Sequence, residues 1–318
     1  MRKFVINKND AGQRVDKFIT KAVPDLPQSM MYKSIRNKNI KLNRKRCEIS
    51  TRLCEGDILE LYIKDEFFSD APAEHDFLSA PADIDVVFED ENIMLINKKV
   101  GLVVHEDDTN TRDTLINRIR HYLYDNGEYD PDDENSFAPS LCNRIDRNTS
   151  GIVIAAKNAE ALRILNEKIK NRELEKRYLC ITVGVPPKKH DTMTAYLRKN
   201  STDNMVRISD KRLPDYLTAV TEYTVLRTKG QLALLEVLLH TGRTHQIRAH
   251  MAHIGCPLLG DGKYGINSVN REYKLKTQAL CSYKLKFAFT SDGGVLEYLN
   301  GRDFQINDVW FVDKFFCK

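Results

Sequence analysis

Residues 141–156 read LCNRIDRNTSGIVIAA, a dense polar string that runs into a strand of small and branched apolar residues. Gly151 marks the turn at the strand's edge, and the run 152–156 is too short and too apolar for a surface helix. Just before the turn, Asp146 stands between Arg144 and Arg147. Nearby guanidinium groups favour a charged carboxylate, which makes Asp146 available as a nucleophile or base. An ordinary surface ion pair at a turn is the competing interpretation of the same residues.

Outward from that strand, further strand signals fall at 93–97, 178–183, 218–226, 232–239 and 283–289. Helix signals fall at three places. Leu115, Ile116, Ile119 and Leu123 form one apolar stripe. Ala161, Leu162, Leu165 and Ile169 form a second, opened by Asn158 as a cap. A third helix follows Thr244, turns Ile247, Met251 and Ile254 inward, and stops at Gly255 and Pro257. From residue 83 these elements lack the regular alternation of a doubly wound sheet, which points to the α+β class. Residues 125–135 form an acidic loop.

The third helix belongs to a second polar string, LHTGRTHQIRAHMAHIGCPLLGDGKYG, at 239–265. His245 and Arg248, three residues apart, share a face other than the buried one. Arg243 sits at the helix start, where its cation opposes the helix dipole and asks for an anionic partner such as phosphate or carboxylate. His240, His245, His250 and His253 invite a metal reading, but no HExxH arrangement lies among them, so none is assigned as a ligand. Walker, GxGxxG and GxSxG motifs are missing.

The chain of 318 residues is 42% hydrophobic and 30% charged, long enough for a large domain plus a small one. Its net charge of +4 is unevenly spread: residues 1–64 hold fifteen Lys/Arg against seven Asp/Glu. A basic module of this kind suits a polyanion, because neutralising phosphates releases counterions; a solvated surface face is the other reading. Within it, helices are expected over 14–23 and 29–37, with Ser29 as the cap of the second, and strands over 40–43 and 58–63. Residues 65–82, acidic and broken by Pro72 and Pro81, read as a linker to a catalytic unit over 83–318. The seven cysteines are scattered and odd in number, which suggests no disulfide framework and fits a reducing compartment. With no signal-peptide pattern and no apolar run of membrane length, a cytoplasmic protein without a membrane partner is expected.

The two polar strings together resemble those of the RluA-type pseudouridine synthases. NRIDRNTSGIVIAAKN (143–158) is similar to the family's HRLDRxTSG motif, which implies that Asp146 is the catalytic nucleophile. The block at 239–265 resembles TGRxHQIRxH, which implies that Arg248 pairs with that aspartate. EKRYLCITVG (175–184) resembles KxYxxxxxG, whose tyrosine, here Tyr178, lies against the target base. The implied fold is a central mixed, mainly antiparallel sheet flanked by helices. RVDKFI, SMMYKSIRNKNIKLN and CEGDILEL resemble an S4 RNA-binding domain in the order expected, which implies an N-terminal RNA grip.

The partner implied is RNA, with large-subunit ribosomal RNA as the substrate of many relatives, contacted by Arg144, Arg147, Arg243 and His245 near the site and by Arg14, Lys33, Arg36, Lys41 and Arg44 in the N-terminal module. A monomer needing no cofactor is expected. This sequence departs from the pattern at Asn143, where histidine is usual, at Lys99 of KKVG, where proline is usual, and at Met30 and Met31, where arginine is common. An inactive RNA-binding or ribosome-assembly protein, and a metal-dependent hydrolase built on the histidines, are the competing functions.

Overall fold

Residues 1–68, 75–105, 111–200 and 205–316 are described by the structure, a computed structural model; residues 69–74 of the expected linker lie outside the described residues. The chain begins with β1 (Arg2–Val5), α1 (Val15–Ala22), α2 (Gln28–Arg36), β2 (Ile40–Leu42), β3 (Lys45–Arg46) and β4 (Ile58–Leu61). The strands form a sheet in the order β1-β4-β2-β3. Val15, Phe18 and Ile19 of α1 and Met31 and Ile35 of α2 pack with Ile40, Leu59 and Leu61 of the sheet into a core of their own. Ser29 is not the cap of α2. Pro27 holds that place with φ −58°, Gln28 opens the helix, and Ser29 lies inside it. The proline ring presets the backbone at the helix start, so the helix begins two residues earlier than a cap at Ser29 would allow. Asn43 and Arg44, at φ 49° and 62°, make the two-residue turn between β2 and β3 and leave Arg44 exposed at its tip.

The rest of the described chain is built on a sheet of 11 strands. In chain order its elements are β5 (Val86–Glu89), β6 (Ile93–Lys98), α3 (Leu115–Asp125), β7 (Ser140–Leu141), β8 (Ser150–Ala156), α4 (Ala159–Lys170) and β9 (Leu174–Val183). Then follow β10 (His190–Lys199), β11 (Val206–Ser209), β12 (Leu217–Lys229), β13 (Leu232–Leu239), α5 (Gln246–His253), α6 (Asn267–Glu272), β14 (Leu280–Phe287), β15 (Asp303–Gln305) and α7 (Trp310–Phe316). The strand order is β11-β10-β12-β13-β9-β14-β8-β6-β5, with β15 on β14 and β7 on β8. Among the strand pairings of the described residues, β8 with β14 is the parallel one and the others are antiparallel. The mixed, mainly antiparallel sheet of an α+β protein is therefore what the chain forms.

Both faces of the central strands are covered, which explains their near-continuous apolar runs. Ile152 and Ile154 of β8 face the side where α4 and α7 pack, with Leu165 and Phe311. Val153 and Ala155 face the other side, with Leu115 and Ile119 of α3 and Ile247 and Met251 of α5. Of the two helix caps read from the sequence, Asn158 is made, accepting the N–H of Ala161 at the start of α4; Thr114, which the sequence reading did not name, caps α3. Within the stretch 65–82, Phe77 is buried beside Tyr124 and Tyr129. The N-terminal unit meets the large sheet's loops through polar contacts, chiefly at the buried Asp10, which accepts from Ser136 Oγ at 2.5 Å and Asn135 Nδ2 at 2.6 Å.

The parallel junction of β8 and β14 depends on one glycine. Gly151 pairs with Ser282 at φ +114°, and a Cβ there would lie 2.3 Å from the Ser282 carbonyl oxygen. Any side chain would therefore push β8 away from β14 directly below the Asp146 loop. Gly151→Ala is expected to lower stability by about 3 kcal/mol, from strained backbone and overpacking combined. An unchanged denaturation midpoint would contradict this.

Candidate active site

The loop between β7 and β8 delivers Asp146, and a hydrogen bond from the Thr149 N–H to the Asp146 carbonyl, 3.0 Å, closes its turn. The carboxylate is partly open, with 27% of the side chain exposed. Its Oδ2 accepts from Arg248 Nη1 at 2.8 Å. Arg248 rises from α5 and is itself buried, 6% exposed. The other two corners of its guanidinium are taken from behind: Nε donates to Asp261 Oδ2 at 2.7 Å and Nη2 to Asp261 Oδ1 at 2.9 Å. This is the two-point fork geometry that a carboxylate matches best.

Asp261 is fully buried and also accepts the backbone N–H groups of Lys263 and Tyr264. Burial alone would raise its carboxyl, yet the Arg248 bonds, the Arg248 charge and these two N–H donors together hold it below the usual carboxylate value. For Arg248, burial pulls the guanidinium down while Asp261 and then Asp146 pull it further up, with a net rise. The arginine is thus a permanent cation locked on one side, with its remaining edge aimed at Asp146.

Tyr178, on β9, is buried in the same apolar cluster as Ile145, Ile247 and Met251. Burial first, with the nearby charge of Asp146 adding and a hydrogen bond with Ser282 opposing, pushes its hydroxyl up to about 12. His245 stands at the N-cap of α5, with Nε2 at 3.9 Å from Asp146 Oδ2 and Nδ1 at 2.9 Å from the Tyr264 hydroxyl. These residues, 100 positions and more from Asp146 in some cases, meet because α5 crosses the same sheet face to which Tyr178 points.

The flanking arginines do not hydrogen-bond Asp146. Arg144 is exposed, and Arg147 turns its Nε to the Gly101 carbonyl at 3.0 Å, so neither is the hydrogen-bonding partner of Asp146. Neighbouring residues on a tight turn point in different directions, and the cation that reaches the carboxylate comes from another element. Arg243 is exposed, and its Nε donates to the Thr218 carbonyl at 3.1 Å. The four histidines go to separate partners: His240 to Glu222, His245 to Tyr264, His250 to Thr221 and His253 to Asp210. Among the described residues no group of three or more His, Cys, Asp or Glu is arranged to hold a metal. In the N-terminal unit Lys33, Arg36 and Arg44 are exposed, Arg14 pairs with Asp16, and Lys41 lies over the Tyr62 ring, 5.2 Å from its centroid.

Three buried polar residues escaped the sequence reading. Asp261 is the first. Lys98, 1% exposed, donates from Nζ to the carbonyls of Lys99, Leu102 and Arg147 at 3.0, 2.9 and 2.9 Å. Burial lowers its ammonium to about 8 against the opposing pull of Asp146. Gln246, also buried, takes Thr241 Oγ1 and the Arg243 N–H on its carbonyl oxygen and gives its amide to Val220 and Thr221, which fixes the loop leading into α5. Gln246 and Asp261 lie inside the second polar string, whereas Lys98 opens KKVG, far from both strings.

The comparisons with known proteins agree with this geometry. Residues 92–253 match the family model described as RNA pseudouridylate synthase. The chain is 34% identical to an uncharacterized RNA pseudouridine synthase of Mycoplasma genitalium, over 90% of this chain and 88% of the relative. It is 29% identical to the ribosomal large subunit pseudouridine synthase C of Vibrio parahaemolyticus, over 82% of this chain and 79% of the relative. Among solved structures, human RNA pseudouridylate synthase domain containing 1 shares the fold at a TM-score of 0.55 and 20% identity, over 74% of this chain and 86% of that one. Among the described residues no helix is long and apolar enough to cross a membrane. The chain belongs to the RNA pseudouridylate synthase family, enzymes that isomerise uridine in RNA.

Proposed function

We propose that the substrate is a uridine of structured large-subunit ribosomal RNA, that Asp146 is the nucleophile, that Arg248 aims it and that Tyr178 lies against the target base. The observation that carries this reading is the 2.8 Å contact between Arg248 and Asp146, with the arginine already locked by Asp261 and the acid partly open. The ribosomal target draws on the printed name of the Vibrio relative.

Isomerisation breaks the bond from C1′ to ring nitrogen N1, turns the uracil, joins C1′ to ring carbon C5, releases the C5 proton and returns one proton to N1. Atoms and electrons balance without a redox partner or a cofactor. The nucleotide must first leave its stack, at a cost of a few kcal/mol, which stacking and charged contacts offset. Asp146 then forms a covalent bond at the ribose or the uracil ring, dividing one hard step into two easier ones. A carboxylate held in one orientation keeps the advantage of proximity. Lys98 contributes at a distance: by binding the Arg147 carbonyl it ties the turn that presents Asp146 to the 98–102 turn.

Residues 1–64 serve, in this proposal, as an S4-like RNA grip, joined through 65–82 to a catalytic unit over 83–318. Lys33, Arg36, Lys41, Arg44 and Arg14 would contact phosphates there, and Arg144, Arg147, Arg243 and His245 would do so around the site. The charge of the lysines and arginines supports sequence-independent affinity that weakens with salt.

Asp146→Asn is expected to abolish conversion of uridine in a ribosomal RNA substrate while leaving RNA affinity within about twofold, because the shape and the Arg248 contact are nearly kept. Conversion at the wild-type rate would overturn the assignment. Lys98→Met removes three donors from buried carbonyls and is expected to cost about 2–3 kcal/mol of stability and to slow turnover at least tenfold. Wild-type melting and turnover together would contradict the tether.

A further inference from the structure

His245 has a backbone conformation that its position does not require. It holds the N-cap of α5 at φ 51° and ψ 21°, the left-handed region, yet its side chain makes no capping bond to the helix. Asn, Asp, Ser or Thr at that place would cap the helix, and a non-glycine residue there is strained by about 1 kcal/mol or more. The ring is instead turned inward, 11% exposed, between Tyr264 and Asp146.

The hydrogen bonds around Tyr264 decide which ring nitrogen carries the proton. The backbone N–H of Val206 can only donate, and it does so to the Tyr264 hydroxyl oxygen at 2.7 Å. The hydroxyl has one proton of its own, and among the described residues the acceptor in reach is His245 Nδ1 at 2.9 Å. Nδ1 is therefore an acceptor, and in the neutral imidazole the proton sits on Nε2. That N–H points toward Asp146 but stops 3.9 Å from Oδ2, beyond hydrogen-bond length. Oδ2 already accepts from Arg248. A neutral donor is thus held beside the nucleophile with its proton uncommitted.

We propose that His245 is a substrate-contacting residue, donating from Nε2–H to an acceptor oxygen of the target nucleotide as it docks on Asp146, and that Tyr264 is the positioning residue that fixes its tautomer. This rests on Asp146 being the nucleophile. The groups facing the imidazole are Asp146, Arg248, Asp261, Lys263 and Tyr264. Burial comes first in lowering its pKa, to about 4, with Arg248 and Lys263 adding and Asp146 and Asp261 opposing. A neutral ring matters chemically. A protonated His245 would form a second ion pair with Asp146 and hold the nucleophile back.

The test uses the full chain. Long-range ¹⁵N–¹H correlation spectra of the His245 ring should show the Nε2–H tautomer and no titration from pH 8 down to about 5; an Nδ1–H ring, or titration near 6.5, overturns the proposal. His245→Asn tolerates the left-handed backbone and should fold with a melting temperature no lower than wild type, but it cannot reach the substrate. Its kcat should fall about tenfold with KM within about twofold, the size of one lost hydrogen bond in a water-poor site. Tyr264→Phe removes the donor that favours neutral Nδ1, so the imidazole pKa should rise and kcat should fall as pH drops below about 6.5, where the wild type stays level. Wild-type kcat in His245→Asn, or an unaltered pH profile in Tyr264→Phe, refutes this role while Asp146→Asn remains dead. Full activity in Asp146→Asn would instead refute the underlying mechanism.

Discussion

One guanidinium between two carboxylates organises the catalytic half of this protein. Arg248 binds Asp261 with two of its corners and presents a third to Asp146. The pairing behind the arginine is fully buried, and removing one member of such a pair typically costs about 3–5 kcal/mol because the other is left uncompensated. The front carboxylate is partly open. That asymmetry separates a buried ion pair from a solvent-accessible one within a single cluster. It also explains why the surrounding polar groups are buried: Gln246 and the N–H groups of Lys263 and Tyr264 fix the segments on either side, so α5 and the 261–264 turn cannot drift apart.

The sheet supplies the frame for this cluster. β8 and β14 run side by side in parallel only because Gly151 lets them approach, and the Asp146 loop leaves from the start of β8. Tyr178 on β9 and Ile247 on α5 share the face that receives it. Lys98 at the end of β6 ties the loop from the other side. Four neighbouring strands, β9, β14, β8 and β6, and one helix thus frame one carboxylate, while the α4 and α7 face serves packing.

Much of this fold was legible because apolar runs are hard to disguise. β6, β8, β12 and β13 were found near their true positions, as were α3 and α4, whose stripes and Asn158 cap obey local rules. β10 was missed, since HDTMTAYLRK buries only Ala195 and Leu197 and lies toward the edge of the sheet. β1 and β15, of four and three residues, carry too little pattern to stand out. Asp146 stood out locally, but its pairing with Arg248 came from resemblance to a family, because nothing local links residues 102 positions apart. Asp261 in GDG reads as a turn aspartate, and Lys98 in KKVG as a surface lysine. Both are buried only because distant groups converge on them, information that no window of sequence contains. Arg144 and Arg147 flank Asp146 in sequence, but the cation that hydrogen-bonds it comes from α5, because adjacency in sequence is not adjacency of side chains on a turn.

The most direct measurement of the central claim is a double-mutant cycle on the single-turnover rate of uridine conversion, with Asp261→Asn and Arg248→Lys alone and together. If Asp261 acts by aiming Arg248 at Asp146, the double variant will be about as slow as Arg248→Lys alone, a strongly non-additive result. If the two losses instead multiply, Asp261 and Arg248 act independently, and the chain of charges described above does not govern the proposed nucleophile.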